Sequence, residues 1–416
     1  MRFRVLTAAS LLALAGCHLH SDPPGEAPSG VMVTPGEGLV TVNWNRDPEL
    51  TYWIFYQPGS SAAPAASGVP LIFDAVPPRV VAGLTNDTQY AFIMNATRED
   101  SKAGPSSPVV MATPRLAGKE WASGTALGTN LNGIAFNGSR LVVVGDSGTI
   151  FAGDYNYTST NPRGVTAWMP PTSVPVGTTS LSTVIFSGQQ FVALGIDGSI
   201  LTSTDGLTWT LATGSIPSAS MNGIAFGSVS GTGTYVAVGN GGNIFTSTDL
   251  VTWTTALSNP SNGNDLFGVA FLNGGFLNGG FVATGASGTL LTSTDGSNWT
   301  APASHTTNAL RGAAFRSAPT PVYVVVGDAG TIVTSADGIT WSSPITPPPL
   351  LQPLNNVVFG SRFVAVGQGG AVVFSDDGSI WSPPTTPPDL ANLARVVFTA
   401  AMYVAVGEAG ANAFAK

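Results

Sequence analysis

The stretch Ser203-Thr-Asp-Gly-Leu-Thr-Trp209 returns in four further variants down the chain, at a nearly regular interval. Each variant begins with serine and ends with tryptophan: Ser247 to Trp253, Ser293 to Trp299, Ser335 to Trp341 and Ser375 to Trp381. Each follows a short apolar run and precedes a connection rich in Thr, Ser or Pro, which is typical of a turn between two strands. The stretch therefore predicts a hairpin corner that the chain uses repeatedly.

The residue types of this corner fit a tight turn. Ser hydroxyls and Asp carboxylates accept backbone N–H groups, Gly supplies positive φ, and Trp covers the turn from the next strand. The copies resemble the Asp-box, or BNR, repeat of β-propellers, in which the box is structural and lies away from the ligand face. The resemblance implies a structural role for Asp205, Asp249, Asp295, Asp337, Asp377, Trp209, Trp253, Trp299, Trp341 and Trp381.

A second repeated pattern marks the first strand of each unit. It occurs seven times, at Leu131 to Phe136, Leu181 to Phe186, Met221 to Phe226, Leu266 to Phe271, Leu310 to Phe315, Leu354 to Phe359 and Leu393 to Phe398. The interval of roughly 40 to 50 residues is the length of a four-stranded propeller blade. The next strand ends in Gly each time, and another Gly follows three residues later, which predicts a turn between the second and third strands.

The ends of the array predict how it closes. The last copy stops after its third strand, at Gly410 to Phe414, whereas Trp121 stands before the first copy without a box ahead of it. Seven tryptophans then match seven first strands, counting Trp121 and Trp168 with the five of the boxes. We therefore expect Trp121 to supply the outer strand of the last blade, which removes an open sheet edge.

Composition supports an all-β chain and excludes some partners. The 416 residues include 51 Gly and 31 Pro, and only 9% are charged, which is typical of short strands joined by many turns. The formal net charge is −8, and no basic stripe is available to neutralise phosphates, so nucleic acid is not an expected partner.

The N-terminus predicts export. Arg2 and Arg4 precede an apolar run that ends in Leu14-Ala-Gly-Cys17, and this ending resembles the bacterial lipobox. The resemblance implies a signal peptide over 1–16, lipidation of Cys17 and anchoring to the cell envelope, at the outer membrane where the cell has one. Residues 17–30 contain Pro, Gly and Ser without apolar periodicity, which predicts a flexible tether. An ordinary signal peptide with an incidental Cys is the alternative.

Residues 31–115 follow a different pattern, with alternating strands and no Asp-box. Trp44, the corner Leu84-Thr-Asn-Asp-Thr-Gln-Tyr90 and a final strand near Val109 resemble a fibronectin type III domain. The predicted fold is therefore an N-terminal β-sandwich followed, over 117–416, by a seven-bladed β-propeller. That second part also resembles the photosystem II assembly factor type of propeller, which implies an assembly or scaffolding role.

The expected ligand face is made by the turns after the second strands and by the connections into the first strands. The candidates for ligand binding are Asn132, Asp146, Asn222, Asn240, Phe267, Arg311, Asp328, Asn355, Gln368, Arg395 and Glu408. Amides, acids, arginines and an aromatic ring suit a protein loop or a polysaccharide. Simple solvation of these loop residues is the alternative for each of them.

The expected role is binding without chemistry, by a monomer that needs no metal or cofactor. The alternative is a glycoside hydrolase, because sialidases share the Asp-box and because Glu408 and Asp146 would lie on neighbouring blades of a closed ring. Sialidases also bind the substrate carboxylate with three arginines. The arginines of the propeller are Arg140, Arg163, Arg311, Arg316, Arg362 and Arg395. Arg140 and Arg362 fall at the start of a second strand, toward the opposite face, so a triad of arginines is not expected.

Overall fold

The structure is a computed structural model, and it describes residues 22–62, 70–98, 102–155, 165, 167–175, 177, 179–217, 220–273, 279–345, 351–385, 387–388, 391–399 and 401–415. The predicted signal peptide, Cys17 and Arg163 lie outside these residues. The described part of the chain consists of β-strands, short 3-10 turns and loops, without an α-helix. No described helical segment has the length and apolar character needed to traverse a bilayer.

Contacts divide the chain into two compact units. The first comprises Met1–Thr34, Val42–Arg79 and Thr88–Thr113, and the second comprises Pro35–Thr41, Val80–Asp87 and Pro114–Lys416. All seven copies of the first-strand pattern fall in the second unit.

Among the described residues, seven strands precede residue 115. They are β1 (Met32–Gly36), β2 (Leu39–Asn43), β3 (Leu50–Pro58), β4 (Leu71–Ala75), β5 (Arg79–Ala82), β6 (Tyr90–Arg98) and β7 (Val110–Ala112). They form one sheet in the order β1-β2-β5 and another in the order β4-β3-β6-β7. Strand β6 is buried over most of its length because it lies in the middle of its sheet, and Trp44 and Tyr52 pack with ring centroids 5.5 Å apart.

The remaining described strands form seven antiparallel sheets, which we number in chain order. Sheet 1 contains β9 (Leu131–Phe136), β10 (Arg140–Gly145) and β11 (Ile150–Asp154); sheet 2 contains β12 (Leu181–Phe186), β13 (Phe191–Gly195), β14 (Ile200–Ser203) and β15 (Thr210–Leu211). Sheet 3 contains β16 (Met221–Val229), β17 (Thr232–Gly239), β18 (Ile244–Ser247) and β19 (Thr254–Thr255); sheet 4 contains β20 (Leu266–Leu272), β21 (Gly280–Gly285) and β22 (Leu290–Ser293). Sheet 5 contains β23 (Leu310–Arg316), β24 (Val322–Gly327) and β25 (Ile332–Ser335); sheet 6 contains β26 (Leu354–Phe359), β27 (Phe363–Gly367) and β28 (Val372–Ser375). Sheet 7 contains β29 (Leu393–Phe398), β30 (Tyr403–Gly407), β31 (Asn412–Ala415) and β8 (Trp121–Ser123).

The sheets follow one another around a closed path. The first strand of each sheet contacts the first strand of the next, and β29 of sheet 7 contacts β9 of sheet 1. Ile134 and Val143 of sheet 1 pack with Val404 and Val406 of sheet 7 in one buried cluster. The second strands are buried on both faces because each sheet is covered by two neighbours, which explains their continuous apolar sequences. This arrangement is a β-propeller.

Strand β8 completes sheet 7 as its outer strand. The position of Trp121 before the first copy predicted this pairing. Trp121 is paired with Ala415 and Ser123 with Ala413, in antiparallel register. The Trp121 indole is buried and donates its Nε1–H to the carbonyl of Gly118 at 2.9 Å. The segment that precedes the first sheet and the end of the last sheet are therefore held together by main-chain pairing and by a buried aromatic side chain.

The repeated stretch that resembles the Asp-box forms a compact hydrogen-bonded corner, which we call the Asp-box corner. The Asp205 carboxylate accepts the backbone N–H groups of Leu207 and Thr208 at 2.8 and 2.7 Å, and the Ser203 hydroxyl accepts that of Gly206 at 2.7 Å. The Trp209 Nε1–H is donated to the Gly206 carbonyl. The box at Asp249 has Leu250 in place of glycine, with φ at 63°. The chain therefore keeps the left-handed turn there despite the larger side chain.

The outer strands differ from the expectation of four full strands in every blade. Sheets 2, 3 and 7 have a regular outer strand, whereas in sheets 1, 4, 5 and 6 pairing beyond the third strand is limited to isolated bridges. A proline follows the corner tryptophan within three residues in those four sheets and in none of the others, as Pro170, Pro302, Pro344 and Pro383. Proline lacks the N–H that a ladder needs, so the outer pairing is interrupted in these sheets. In sheets 1, 4 and 6 the described bridges precede the proline, whereas in sheet 5 the Ile332–Ile345 bridge follows Pro344.

Candidate functional site

A β-bulge recurs in the first strand of all seven sheets. The pairing register shifts after the first residue of each strand, so that the second residue has no partner in the ladder. A bulge turns a side chain away from the direction that the regular pleat would give it. We call these seven second residues the ring residues: Asn132, Ser182, Asn222, Phe267, Arg311, Asn355 and Ala394.

The ring residues line a single cavity of about 300 Å³, which we call the central cavity. Ile196 and Arg395 complete its lining. Every one of the seven sheets contributes at least one residue, so the cavity lies where the first strands converge. Its lining combines amides, two guanidinium groups, an aromatic ring and an aliphatic side chain, which is the mixture expected of a ligand site.

Tight turns hold the wall around the cavity. In six of the seven sheets, all except sheet 2, the glycine that ends the second strand lies against the backbone just before the first strand; a Cβ on Gly407 would stand 1.9 Å from the Asn392 carbonyl oxygen. The residue after this glycine donates its N–H to that same carbonyl, as Glu408 does to Asn392 at 2.9 Å. The close approach excludes a side chain at this position. The turn is therefore fixed to the strand that carries the ring residue.

Two asparagines of the ring are held from behind by the turns. Asn132 Nδ2 donates to Asp146 Oδ1 at 2.9 Å and to the Leu181 carbonyl of the next sheet at 3.0 Å. Asn222 Nδ2 donates to Asn240 Oδ1 at 2.7 Å and to the Leu266 carbonyl at 2.8 Å. The amide donors are thus occupied by the protein itself. They tie neighbouring sheets together and fix the orientation of both amides.

Arg311 is held by a turn residue in the same way. Its guanidinium forms a two-point ion pair with Asp328, with Nε–Oδ1 and Nη2–Oδ2 distances of 2.6 and 3.2 Å. Its other neighbour is Phe267, whose ring centroid lies 5.2 Å from the guanidinium carbon, within the range of a cation–π contact. Asp328 therefore neutralises Arg311 while keeping it against the cavity.

Arg395 has a different environment. Its guanidinium donates from Nη1 to the carbonyl of Ala394 at 3.2 Å, and no described carboxylate lies within ion-pair distance of it. Burial, and after it the positive charge of Arg311, lower the pKa of Arg395 below its ordinary value. A guanidinium remains protonated even so. Arg395 thus brings a positive charge to the cavity that the described residues leave unneutralised.

The predicted ligand-face residues fall into two groups. Asn132, Asn222, Phe267, Arg311, Asn355 and Arg395 line the central cavity. The turn residues do not line it: Asp146, Asn240 and Asp328 hold ring residues, while Gln368 and Glu408 are exposed in their turns. Sequence reasoning missed Ser182, Ile196 and Ala394. The signal for Ser182 and Ala394 was their position, since both are the second residue of the repeated first strand.

The arginines considered for a sialidase-like site separate in space. Arg140 pairs with Asp154, and Arg362 pairs with Asp376. Arg316 donates to the Asp376 carbonyl. Among the described arginines, Arg311 and Arg395 are the two that line the central cavity. The described residues also contain no cluster of three or more His, Cys, Asp or Glu side chains that could hold a metal ion.

Comparisons with known proteins agree with this architecture. Residues 120–266 match the family model described as the DUF6242 β-propeller domain. The structure titled YCF48 bound to D1 peptide is 17% identical, with a TM-score of 0.54, and the match covers 73% of this chain and 98% of that one. A catalytically inactive virginiamycin B lyase from Staphylococcus aureus with quinupristin is 13% identical, with a TM-score of 0.56 over 71% of this chain and 99% of the lyase. Among curated protein sequences, none matches. Because the sequence identities are low, these similarities establish the fold alone: the chain folds as a β-propeller.

Proposed function

We propose that the chain is a cell-envelope lipoprotein whose fibronectin type III-like domain presents a seven-bladed β-propeller, and that the central cavity binds a protein or polysaccharide ligand without chemistry. The seven numbered sheets would be the seven blades. The sandwich assignment for residues 31–115 is supported by the strand orders β1-β2-β5 and β4-β3-β6-β7, three strands and four, and by the burial of Tyr90 at the start of β6.

The convergence of all seven ring residues on one cavity carries the binding proposal. If these positions were needed only for folding, the same small residue could occupy them in all seven copies. Instead the seven positions hold three amides, a hydroxyl, a ring, a guanidinium and a methyl group. This asymmetry, on bulges that direct each side chain inward, is what a ring needs to recognise one ligand in one orientation.

A protein ligand is supported further by the way a similar fold is used. YCF48 shares the fold, and its structure is titled as bound to a D1 peptide. We carry over the mode, a propeller that holds a peptide, and not the partner.

The envelope location is proposed from the sequence ending in Cys17. We expect the full chain to partition into the membrane fraction and to incorporate a labelled fatty acid, and Cys17→Ser to abolish both. A wild-type chain without label would argue for an ordinary signal peptide, and label on the Cys17→Ser variant would place the acyl chain on a residue other than Cys17.

Glycoside hydrolysis is the second candidate, because the two carboxylates considered for it lie on adjoining sheets. Asn130 donates to Asp146 Oδ2 at 2.9 Å and accepts the Ala409 N–H, next to Glu408, at 2.9 Å. Neither carboxylate lines the central cavity, and two arginines line it where sialidases use three. The geometry therefore favours binding.

Peptide and glycan arrays, run beside turnover of arylglycosides, separate the two functions. We expect array binding that is lost when Ala394→Trp fills the cavity, and no turnover. Turnover that Glu408→Gln or Asp146→Asn abolishes would favour the hydrolase. Binding unchanged by Ala394→Trp would move the ligand site away from the cavity.

A further inference from the structure

We propose that Arg395 is the anchor for a carboxylate of an acidic peptide segment that enters the central cavity. This inference rests on the proposed binding function of the cavity and specifies the chemistry of its ligand. The anchor would act through a charge-assisted hydrogen bond, the strongest class available to a guanidinium.

The position of Arg395 in its strand is unusual within the repeat. It is the third residue of β29, and the corresponding positions of the other first strands are occupied by Gly133, Thr183, Gly223, Gly268, Gly312 and Asn356. Arg395 and Arg311 line both the central cavity and a narrower one of about 60 Å³ that is bordered by Gly223, Gly268 and Gly312. The smaller residues at the third position of the other first strands therefore leave the space that this long side chain occupies.

The charge balance at the cavity calls for an anion. Asp328 already neutralises Arg311, whereas Arg395 meets no carboxylate among the described residues. A partly buried cation without a partner is costly, and attraction to an added anion is stronger there than in bulk water. The rest of the chain does not supply a general excess of positive charge, since its formal net charge is −8. The positive charge at the cavity is local.

The other lining groups suit a peptide. The Nδ2 groups of Asn132, Asn222 and Asn355 donate within the protein, while their Oδ1 atoms have no donor among the described residues and are available to accept peptide N–H groups. Phe267 and the exposed side chain of Ile196 offer apolar contact to a peptide side chain. An aliphatic group such as Ile196 gives little to the hydroxyls of a sugar. A cavity of about 300 Å³ accommodates a short segment, not a folded domain.

Matched peptide libraries test the assignment. The full chain is screened by fluorescence polarisation against octapeptides that carry a fixed central Asp or the isosteric Asn and are randomised elsewhere without Asp or Glu, each made as the C-terminal acid and as the amide. We expect binding of members with a free carboxylate, weakened about tenfold or more by Arg395→Gln and retained in part by Arg395→Lys. Arg46→Gln removes the same charge from an exposed residue outside the cavity and should leave binding unchanged.

The possible results separate this inference from the proposed function. Peptide binding that does not distinguish Asp from Asn and acid from amide, or that survives Arg395→Gln, overturns the anchor while leaving a binding cavity. Binding of uronate-containing oligosaccharides on a parallel array, without peptide binding, overturns the peptide assignment. Failure to bind any library member or oligosaccharide contradicts both proposals. Circular dichroism and melting of Arg395→Gln and Arg395→Lys establish that both variants are folded.

Discussion

The carboxylates of the Asp-box corners are held in the ionised state by their own backbone. The N–H of Thr208 makes the largest contribution to the pKa of Asp205, which is lowered to about 2. Burial opposes this effect by raising the pKa, and the N–H of Leu207 lowers it further. The N–H groups of Thr340 and Ile339 lower the pKa of Asp337 to about 2 as well. These residues act on stability through local turn geometry, which is why residue type alone predicted the corner.

This depression makes stability depend on pH in a defined window. The contribution of Asp205 and Asp337 is complete above the ordinary carboxyl value of 3.8 and is lost as pH falls through about 2. We expect the double variant Asp205→Asn, Asp337→Asn to be less stable than wild type at pH 5 and to lose less stability between pH 4 and pH 2. Urea denaturation at each pH measures this; parallel curves for the two proteins would count against the role.

Glycine at the end of the second strand is required by space, not by φ. The backbone of Gly407 is extended, a conformation open to any residue, but a Cβ there would stand 1.9 Å from the Asn392 carbonyl oxygen. We expect Gly407→Ala to lower the free energy of unfolding by about 1–3 kcal/mol, measured by urea denaturation. Gly25→Ala, where no atom lies within 4 Å, is the control and should be close to neutral. Equal effects of the two substitutions would contradict the close-approach explanation.

At the scale of single strands, prolines interrupt the pairing at the outer edge of sheets 1, 4, 5 and 6. In sheet 4 the outer segment makes one bridge, Thr292 to Thr300, before Pro302. We expect Pro302→Thr to extend this pairing, because it restores a backbone donor, and hydrogen exchange should show new protection around residues 300–302. Pro260→Thr lies seven residues past Trp253 and should change nothing in the β19 ladder. Absence of new protection in Pro302→Thr would mean that something other than the missing N–H ends the strand.

The closing strand β8 can be tested by comparing substitutions of two buried tryptophans. Trp121 and Trp209 are both buried and both bond the carbonyl three residues earlier, so either substitution by Ala should cost about 3–5 kcal/mol. Only Trp121→Ala should also expose the amides of β31 (Asn412–Ala415), because β8 is the outer neighbour of β31. Hydrogen exchange resolved by residue distinguishes the two variants. Protection of β31 that is unchanged in Trp121→Ala would mean that this indole is not needed for closure.

The sequence was informative about strands and corners and less so about which side chains meet. Repeated apolar runs and glycine spacing predicted the sheets because they are visible in short segments of sequence. Trp121 predicted the closure because it makes the number of tryptophans equal the number of first strands. The bulge was not predicted, since its seven residues differ in type and nothing in a single strand marks a register shift. For that reason Ser182, Ile196 and Ala394 were missed. Asp146, Asn240 and Asp328 were expected to face a ligand, whereas their hydrogen bonds to the ring depend on tertiary placement.

On the scale of the whole molecule, closure turns seven weakly similar repeats into one site. Each sheet contributes a ring residue, and the first and last sheets are joined by β8, by the cluster around Val143 and Val404, and by Asn130 between two turns. Because the seven ring positions are chemically different, the ring can favour one ligand orientation. The Asp-box corners lie at the other end of the third strands and support the ring without taking part in it.

Site-specific photo-crosslinking tests the central claim, that ligand is held by the ring residues, most directly. A benzoylphenylalanine is placed at Phe267 in the central cavity or at Ile380, an exposed position of an Asp-box corner, and each protein is irradiated with the ligand recovered from the peptide and glycan arrays. The account predicts a crosslinked product from position 267 and none from position 380. A product from position 380 with none from position 267 would contradict it.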